Sequence, residues 1–449
     1  MKMTSSNKQF ARNSMITLTR QLASILIGFL LIIIIAKVLG PEAQGKYTLI
    51  TMVPLMLQTF MNLGINSSTI YYVSKKEVDL NTAFNTNVLT GFLLSLLSVG
   101  IGSVVIILLS STTFKEVNTD ILYLALLALP FMFLMIFLQT IFQGLQNFKM
   151  FNSILVIQQT SNLLMVTIFL IVFDLGLKGA IFAFIIGYLI SVSFVLYVIF
   201  YKYKMRLNLT FFSKPYFKKS LNYGFKTHIS NVMTFLNYRL DIFLIGYFIN
   251  PFAVGVYSVA VSIGERLSVF SQSISTVLLP RVASLNNEEE RNYISSIVSR
   301  NMLIFITILS VIVFFLSNFI FTVIIDKDYS ESALILQILL PGLAVLSIEK
   351  LLSNDLAARG KPEINMYVAF VNVGLNLILN LILIPAIGIK GAAIASTVTY
   401  LVSFIIKVII FSKITKQPIV NFLIIKKQDF LLYKRILANF SKKIKPSNS

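Results

Sequence analysis

Apolar stretches about 20 residues long, set apart by short polar breaks, run through this chain and limit its fold more than any other feature. A helix of that length crosses a hydrocarbon layer about 30 Å thick. Inside such a layer every backbone N–H and C=O must find its partner within the protein, which leaves only helices and closed barrels. A barrel needs short segments alternating with period two, and none is present. Composition agrees: 12% of the residues are charged, against about 25% in soluble domains. The chain reads as an all-α integral membrane protein.

The polar residues narrow the class. A formal charge of +20 would suggest a nucleic-acid partner in a soluble protein. Here it reads as the Lys and Arg that membrane proteins keep in cytoplasmic loops, and no nucleic acid is expected. With no cysteine, disulfides, thiolate metal sites and cysteine nucleophiles are excluded. There is no Gly-rich phosphate loop, nucleophile elbow or metal-ligand spacing, so no catalytic residue, metal or cofactor is expected, and no ATP-driven pump. The first apolar stretch is too long for a signal-peptide core and is expected to stay as a transmembrane helix.

Hydropathy predicts 12 transmembrane helices, at 13–39, 47–73, 84–110, 120–144, 152–174, 178–201, 222–249, 255–281, 298–325, 331–357, 364–386 and 390–414. Alternate breaks are rich in Lys and Arg, as at Lys75 and Lys76, between Lys202 and Lys219, and after Lys413. The others hold single lysines: Lys46, Lys115, Lys178, Lys327 and Lys390. Both termini are therefore expected in the cytoplasm. The organisation follows as an N-terminal six-helix lobe over 1–201, a linker over 202–221, a C-terminal six-helix lobe over 222–415 and a basic tail over 416–449. Residues 419–440 of that tail read as a basic amphipathic helix on the membrane surface.

The two lobes repeat one another. Pro41, Ala43, Gly45 and Tyr47 recur 210 positions later as Pro251, Ala253, Gly255 and Tyr257. Gly176-Leu177-Lys178-Gly179-Ala180 recurs as Gly388-Ile389-Lys390-Gly391-Ala392. Six spans per half put both copies in the membrane the same way up, as two parallel six-helix repeats with a substrate path between them.

Charges inside spans are costly and usually face a bundle interior or a wet cavity. Arg239 and Asp241 lie near the middle of the seventh span, Glu265 and Arg266 at similar depth in the eighth. Neighbours at i,i+1 or i,i+2 cannot face each other on one helix, so pairing across helices is expected, for instance Asp241 with an arginine. The arginines are candidates for holding an anionic substrate, and Asp241 and Glu265 for coupling to a cation. Arg20 has no acidic residue within a turn, which suits a phosphate partner; snorkelling to the surface is the alternative. Glu349, Lys350 and Asp355 form a weaker set. Asn372, Asn376 and Asn380, spaced by four, make a polar stripe suited to sugar hydroxyls or to interhelical contacts.

These residues carry a family resemblance. Asn237-Tyr238-Arg239-Leu240-Asp241 with Ile245-Gly246, then Val254-Gly255-Val256-Tyr257-Ser258-Val259-Ala260, resembles the start of the second half of Wzx-type oligosaccharide flippases. Leu39-Gly40-Pro41, Leu279-Pro280-Arg281 and Ala358-Arg359-Gly360-Lys361-Pro362 are similar to the same family. These are polysaccharide transporters of the multidrug/oligosaccharidyl-lipid/polysaccharide exporter (MOP) superfamily, which also holds lipid II flippases and MATE exporters. The resemblance implies two lobes around a cavity that opens alternately to each side. It also implies a flippase that moves undecaprenyl-diphosphate-linked oligosaccharide to the outer leaflet of a bacterial plasma membrane, for capsule, O-antigen or exopolysaccharide. By analogy with the lipid II flippases, Arg20 and Arg266 would contact the diphosphate. The partners implied are that lipid, membrane lipids and a coupling cation (H+ or Na+), with the chain acting as a monomer. A cation-coupled drug or metabolite exporter of the same fold is the alternative, although Arg20, Arg239 and Arg266 outnumber Asp241 and Glu265. A polytopic polymerase or ligase fits less well, because the longest external break, near 111–119, is too short for a catalytic loop.

Overall fold

The structure, a computed structural model, describes residues 5–272, 274, 282, 285, 287–426 and 429, apart from the side chains of 5–18 and 209. Its regular structure among these residues is entirely helical. The first half holds α1 (Ser5–Met61), α2 (Ile65–Ser74), α3 (Leu80–Leu109), α4 (Thr119–Leu126), α5 (Leu129–Gly144), α6 (Phe148–Thr167) and α7 (Gly176–Tyr201). The second holds α8 (Lys214–Phe248), α9 (Pro251–Gly264), α10 (Glu288–Phe319), α11 (Ser330–Ala358), α12 (Glu363–Ile387), α13 (Ile389–Thr415) and the short α14 (Val420–Leu423).

Among the described residues, 10 helices are long and apolar enough to cross a membrane. The sequence expectation is altered in three places. The first two spans are joined in one helix, Thr19–Met61, broken at Gly40 alone (φ 71°, ψ 173°) and not by a loop over 40–46. Only glycine adopts that backbone readily, and Pro41 starts the next segment at once. The expected second span stops at Met61, with a turn through Gly64 (φ 72°) before α2. The seventh span lies within α8, which is absent from the ten; its many polar residues, Arg239 and Asp241 included, lower its hydropathy.

Local signals set the helix ends. Asp79, Asn118, Asn147, Ser213, Asn250 and Asn287 each accept a backbone N–H of the helix that follows, satisfying donors that have no partner in the first turn. The repeated glycines Gly176 and Gly388 both have positive φ (53° and 67°), at the starts of α7 and α13. The outer surface is apolar and the interior also holds polar groups: Leu26, Leu108 and Phe315 are 66%, 68% and 76% exposed, while Asn87, Ser191 and Asn380 are buried completely. Such a surface suits lipid and not water.

The two copies of the repeated turn meet. A Cβ on Gly45 would lie 1.7 Å from the Pro251 carbonyl oxygen, and one on Gly255 would lie 1.9 Å from that of Pro41. One turn further along, Thr48 Oγ1 and Ser258 Oγ are hydrogen-bonded at 3.1 Å. Backbones this close require glycine, as between tightly packed membrane helices. Away from those turns, Gly64 packs on Gly224, and Tyr71 stacks on Tyr223 with ring centroids 4.3 Å apart. These contacts bring α9 against α1 and α8 against α2.

The expected amphipathic helix over 419–440 is reduced, among the described residues, to the single turn α14. Phe422 there is fully buried and packs edge-on against Phe411 of α13, at 5.0 Å. Most of the remaining tail lies outside the described residues, as does Leu279-Pro280-Arg281.

Candidate functional site

Asn250 and Pro251 turn the chain between α8 and α9, so the charges on the two helices face one another. Arg239 donates through Nη1 and Nη2 to the two carboxylate oxygens of Glu265, both at 3.0 Å. The expected pairing across helices is present, but its acid is Glu265. Asp241 lies two residues from Arg239 on α8, so it faces elsewhere. It accepts hydrogen bonds from the Tyr257 hydroxyl at 2.5 Å, from Ser396 Oγ at 3.3 Å and from the Ile242 N–H at 2.8 Å. The proposed Asp241–arginine pair is thus replaced by a buried hydroxyl cage.

Arg266 has no ion pair among the described residues, and its Nε is buried without a hydrogen-bond partner. Its guanidinium lies against Gly28 of α1. Arg20 is eight residues earlier on that helix, roughly 12 Å away along the axis, and its Nε is likewise buried and unpartnered. Lys350 of α11 stands 5.1 Å from the centre of the Tyr238 ring and, among the described residues, has no carboxylate in ion-pair reach. Arg239, Glu265, Arg266 and Lys350 line one cavity of about 420 Å³.

A second cavity, of about 550 Å³, shares Tyr238, Leu346 and Lys350 with the first. Sequence reasoning missed the cation in its wall. Lys407 of α13 is 1% exposed and contacts Ser353 Oγ (2.7 Å), Glu349 Oε1 (3.2 Å) and Asn365 Oδ1. Its signal was a single lysine within the apolar run Ile405-Ile406-Lys407-Val408, deep in a span. The asparagine stripe divides. Asn372 lines this cavity and donates to Ser403 Oγ at 2.8 Å. Asn376 and Asn380 are bonded to each other at 2.9 Å, both buried, and line none of the described cavities.

Among the described residues, the two joined cavities therefore contain two internally compensated pairs, Arg239–Glu265 and Lys407–Glu349, and two cations with no ion pair, Arg266 and Lys350. Such a site attracts an anion and repels a cation. It belongs to one copy of the repeat: at the 210-residue offset Arg239, Asp241, Glu265 and Arg266 correspond to Phe29, Leu31, Leu55 and Met56. Lys407, at the 212-residue offset of the second anchor, corresponds to Val195.

The sequence profile described as polysaccharide biosynthesis protein matches residues 10–286, and that described as MatE matches residues 227–382. A probable low-salt glycan biosynthesis flippase, Agl15, of Haloferax volcanii is 26% identical over 205 residues, covering 44% of this chain and 43% of that one. The chain thus spans less than half of that relative. An uncharacterized membrane protein of Methanocaldococcus jannaschii is 26% identical over 420 residues, covering 91% of this chain and 99% of that protein. Among solved structures, the lipid II flippase MurJ in its inward closed conformation superposes with a TM-score of 0.75 at 19% identity, covering 98% of this chain and 94% of that one. That likeness is one of fold.

Proposed function

The chain belongs to the polysaccharide biosynthesis protein family, and on that footing we propose that it is a flippase for undecaprenyl-diphosphate-linked oligosaccharide. The membership bears out the resemblance read from the 237–260 and 39–41 motifs. Arg266 carries the functional reading. A half-buried guanidinium whose Nε is buried without a partner is costly to leave uncompensated, and the cost is recovered when an anion arrives. A diphosphate matches its fork of donors. Lys350 adds a second charge in the same cavity, and Arg20 a third site along α1. The lipid tail stays in the bilayer while the headgroup uses the cavity, and no covalent bond is made or broken.

Counting the Gly40-broken helix as two passes and α8 as one gives twelve, with both termini in the cytoplasm of a plasma-membrane protein. The halves would move as two lobes in alternating access, with the Gly45–Gly255 junction closed in the state seen here. Glu265, released from Arg239 as a diphosphate enters, and Asp241 in its hydroxyl cage are the candidates for coupling to a cation. The cavity-lining position of Asn372 supports a role toward the sugars, whereas the mutual bond of Asn376 and Asn380 supports a packing role.

The MatE match over 227–382 favours a second reading, a drug exporter. The two unpaired cations in that region argue against a cationic cargo. One experiment separates the two. Deletion of the chain should cause lipid-linked oligosaccharide to accumulate, shielded from externally added glycosidase, with loss of surface polysaccharide. Unchanged glycolipids with a new sensitivity to cationic compounds would establish the exporter.

A further inference from the structure

The cavity beside Lys350 differs in chemistry from the one that holds Arg266. Of its lining residues only Leu346, Val368 and Ala369 are apolar. The rest are amides, hydroxyls, the Tyr238 ring, Lys350 and the compensated Lys407–Glu349 pair, so a lipid tail finds few matching side chains. Its volume, about 550 Å³, lies within the range of small-ligand sites.

Beside Lys350, its unmet valences are neutral. Asn237 of α8 and Asn372 of α12 are 8% and 6% exposed, and each leaves its amide oxygen buried without a partner. A buried polar atom without a partner costs about 1–3 kcal/mol, and such atoms are rare enough to need an explanation. Here two line one cavity from two helices. The terminal torsion of asparagine is soft, so both amides can turn to a ligand. Sugar hydroxyls donate and accept, and satisfy an amide whichever end is free.

We propose that this cavity is the subsite for the sugar joined directly to the diphosphate, with Asn237 and Asn372 hydrogen-bonding it and Lys350 reaching the diphosphate from the shared wall. The proposal rests on the flippase reading and extends it: the protein selects the loaded carrier over the empty one. It also places the sugar contacts in the second copy of the repeat, with Arg20 of the first copy left to the diphosphate.

The test uses the full chain in lipid nanodiscs and two probes, undecaprenyl diphosphate and the lipid-linked oligosaccharide extracted from a strain lacking the chain. The wild type should bind the loaded probe at least tenfold more tightly than the bare one. Asn237→Ala, which removes no hydrogen bond among the described residues, and the double variant with Asn372→Ala should shrink that ratio stepwise. Arg266→Ala should weaken both probes together. Equal wild-type affinities for the two probes, with both bound, would overturn the sugar subsite and leave the flippase standing. So would a ratio that survives Asn237→Ala. A wild type that binds neither probe would end both readings.

Discussion

The guanidinium of Arg266 occupies the space that a side chain at position 28 would fill: a Cβ on Gly28 would stand 2.5 Å from Nη2 and 2.7 Å from Cζ. A residue of the second half is thus held by the absence of a side chain in the first. Gly28 lies inside a regular helix, where alanine is intrinsically favoured by about 1 kcal/mol. Gly28→Ala should therefore leave the amount of folded protein in the membrane unchanged while displacing Arg266. Loss of charge-assisted hydrogen bonds at about 1.5–3 kcal/mol predicts a fall of roughly tenfold or more in diphosphate affinity. Binding in nanodiscs beside a membrane immunoblot measures both, and an unaltered affinity would mean that Arg266 does not hold the substrate.

Arg266 itself gives the sharper contrast. Arg266→Ala should abolish translocation while the protein still accumulates, since no ion pair is broken. Arg266→Lys keeps the charge and loses the fork, so partial recovery is expected. Surface polysaccharide scored in a deletion strain reads both variants, and full polysaccharide with the alanine variant would remove the residue from the mechanism.

The hydrogen bond between Thr48 and Ser258 lends itself to covalent capture, because the chain has no cysteine to confuse the result. With oxygens 3.1 Å apart, cysteines at both positions are within easy reach of a disulfide. Thr48→Cys/Ser258→Cys should crosslink under oxidation, halt transport and recover on reduction. Continued transport by the crosslinked protein would mean that this junction never opens.

Much of this architecture was legible in the sequence, for physical reasons that differ from place to place. Bilayer thickness fixes the length of a span, and glycine at a helix contact leaves a repeat, so the Gly45–Gly255 junction was readable as a duplication before it could be seen as a contact. The pairing of Arg239 with Glu265 followed in kind from helix spacing. That Asp241 would turn away to Tyr257 and Ser396 did not, because helix rotation is decided by packing between helices. Lys407 was invisible for a related reason: its partners Glu349, Ser353 and Asn365 come from two other helices, and no local pattern marks them. The break in α8 hydropathy that hides a span from an apolarity count is the same set of polar residues that builds the site.

Lys407 should be structural before it is functional. It is 1% exposed and ties α13 to Glu349 and Ser353 of α11 and to Asn365 of α12. Removing one partner of a buried pair costs about 3–5 kcal/mol, whereas replacing both with groups of similar shape is often neutral. Lys407→Met should lower the melting temperature of the purified protein, and Lys407→Met/Glu349→Gln should restore much of it. A single variant as stable as wild type would show that the pair contributes nothing to the fold.

The pair Arg300–Asp429 fastens the segment after the last long helix, and its pH dependence can be signed. Arg300 donates to Asp429 at 2.5 and 2.6 Å and to the Asn421 carbonyl at 3.2 Å, and both side chains are almost fully buried. The hydrogen bonds from Arg300 hold the Asp429 carboxyl below its ordinary range. A carboxylate with a lowered pKa stabilises the fold above its unfolded value and loses that contribution as the pH falls through the folded one. Docking of residues 417–426 should therefore be constant from neutral pH down to the ordinary aspartate range, about 3.9, and weaken only below it. Asp429→Asn should loosen the segment at and above the ordinary aspartate range, by about 3–5 kcal/mol in local opening, and match the wild type once its carboxyl is protonated. Hydrogen exchange of the 417–426 amides measures both. Exchange that already rises between neutrality and pH 5 in the wild type would show that a different group, with a higher pKa, holds the segment in place.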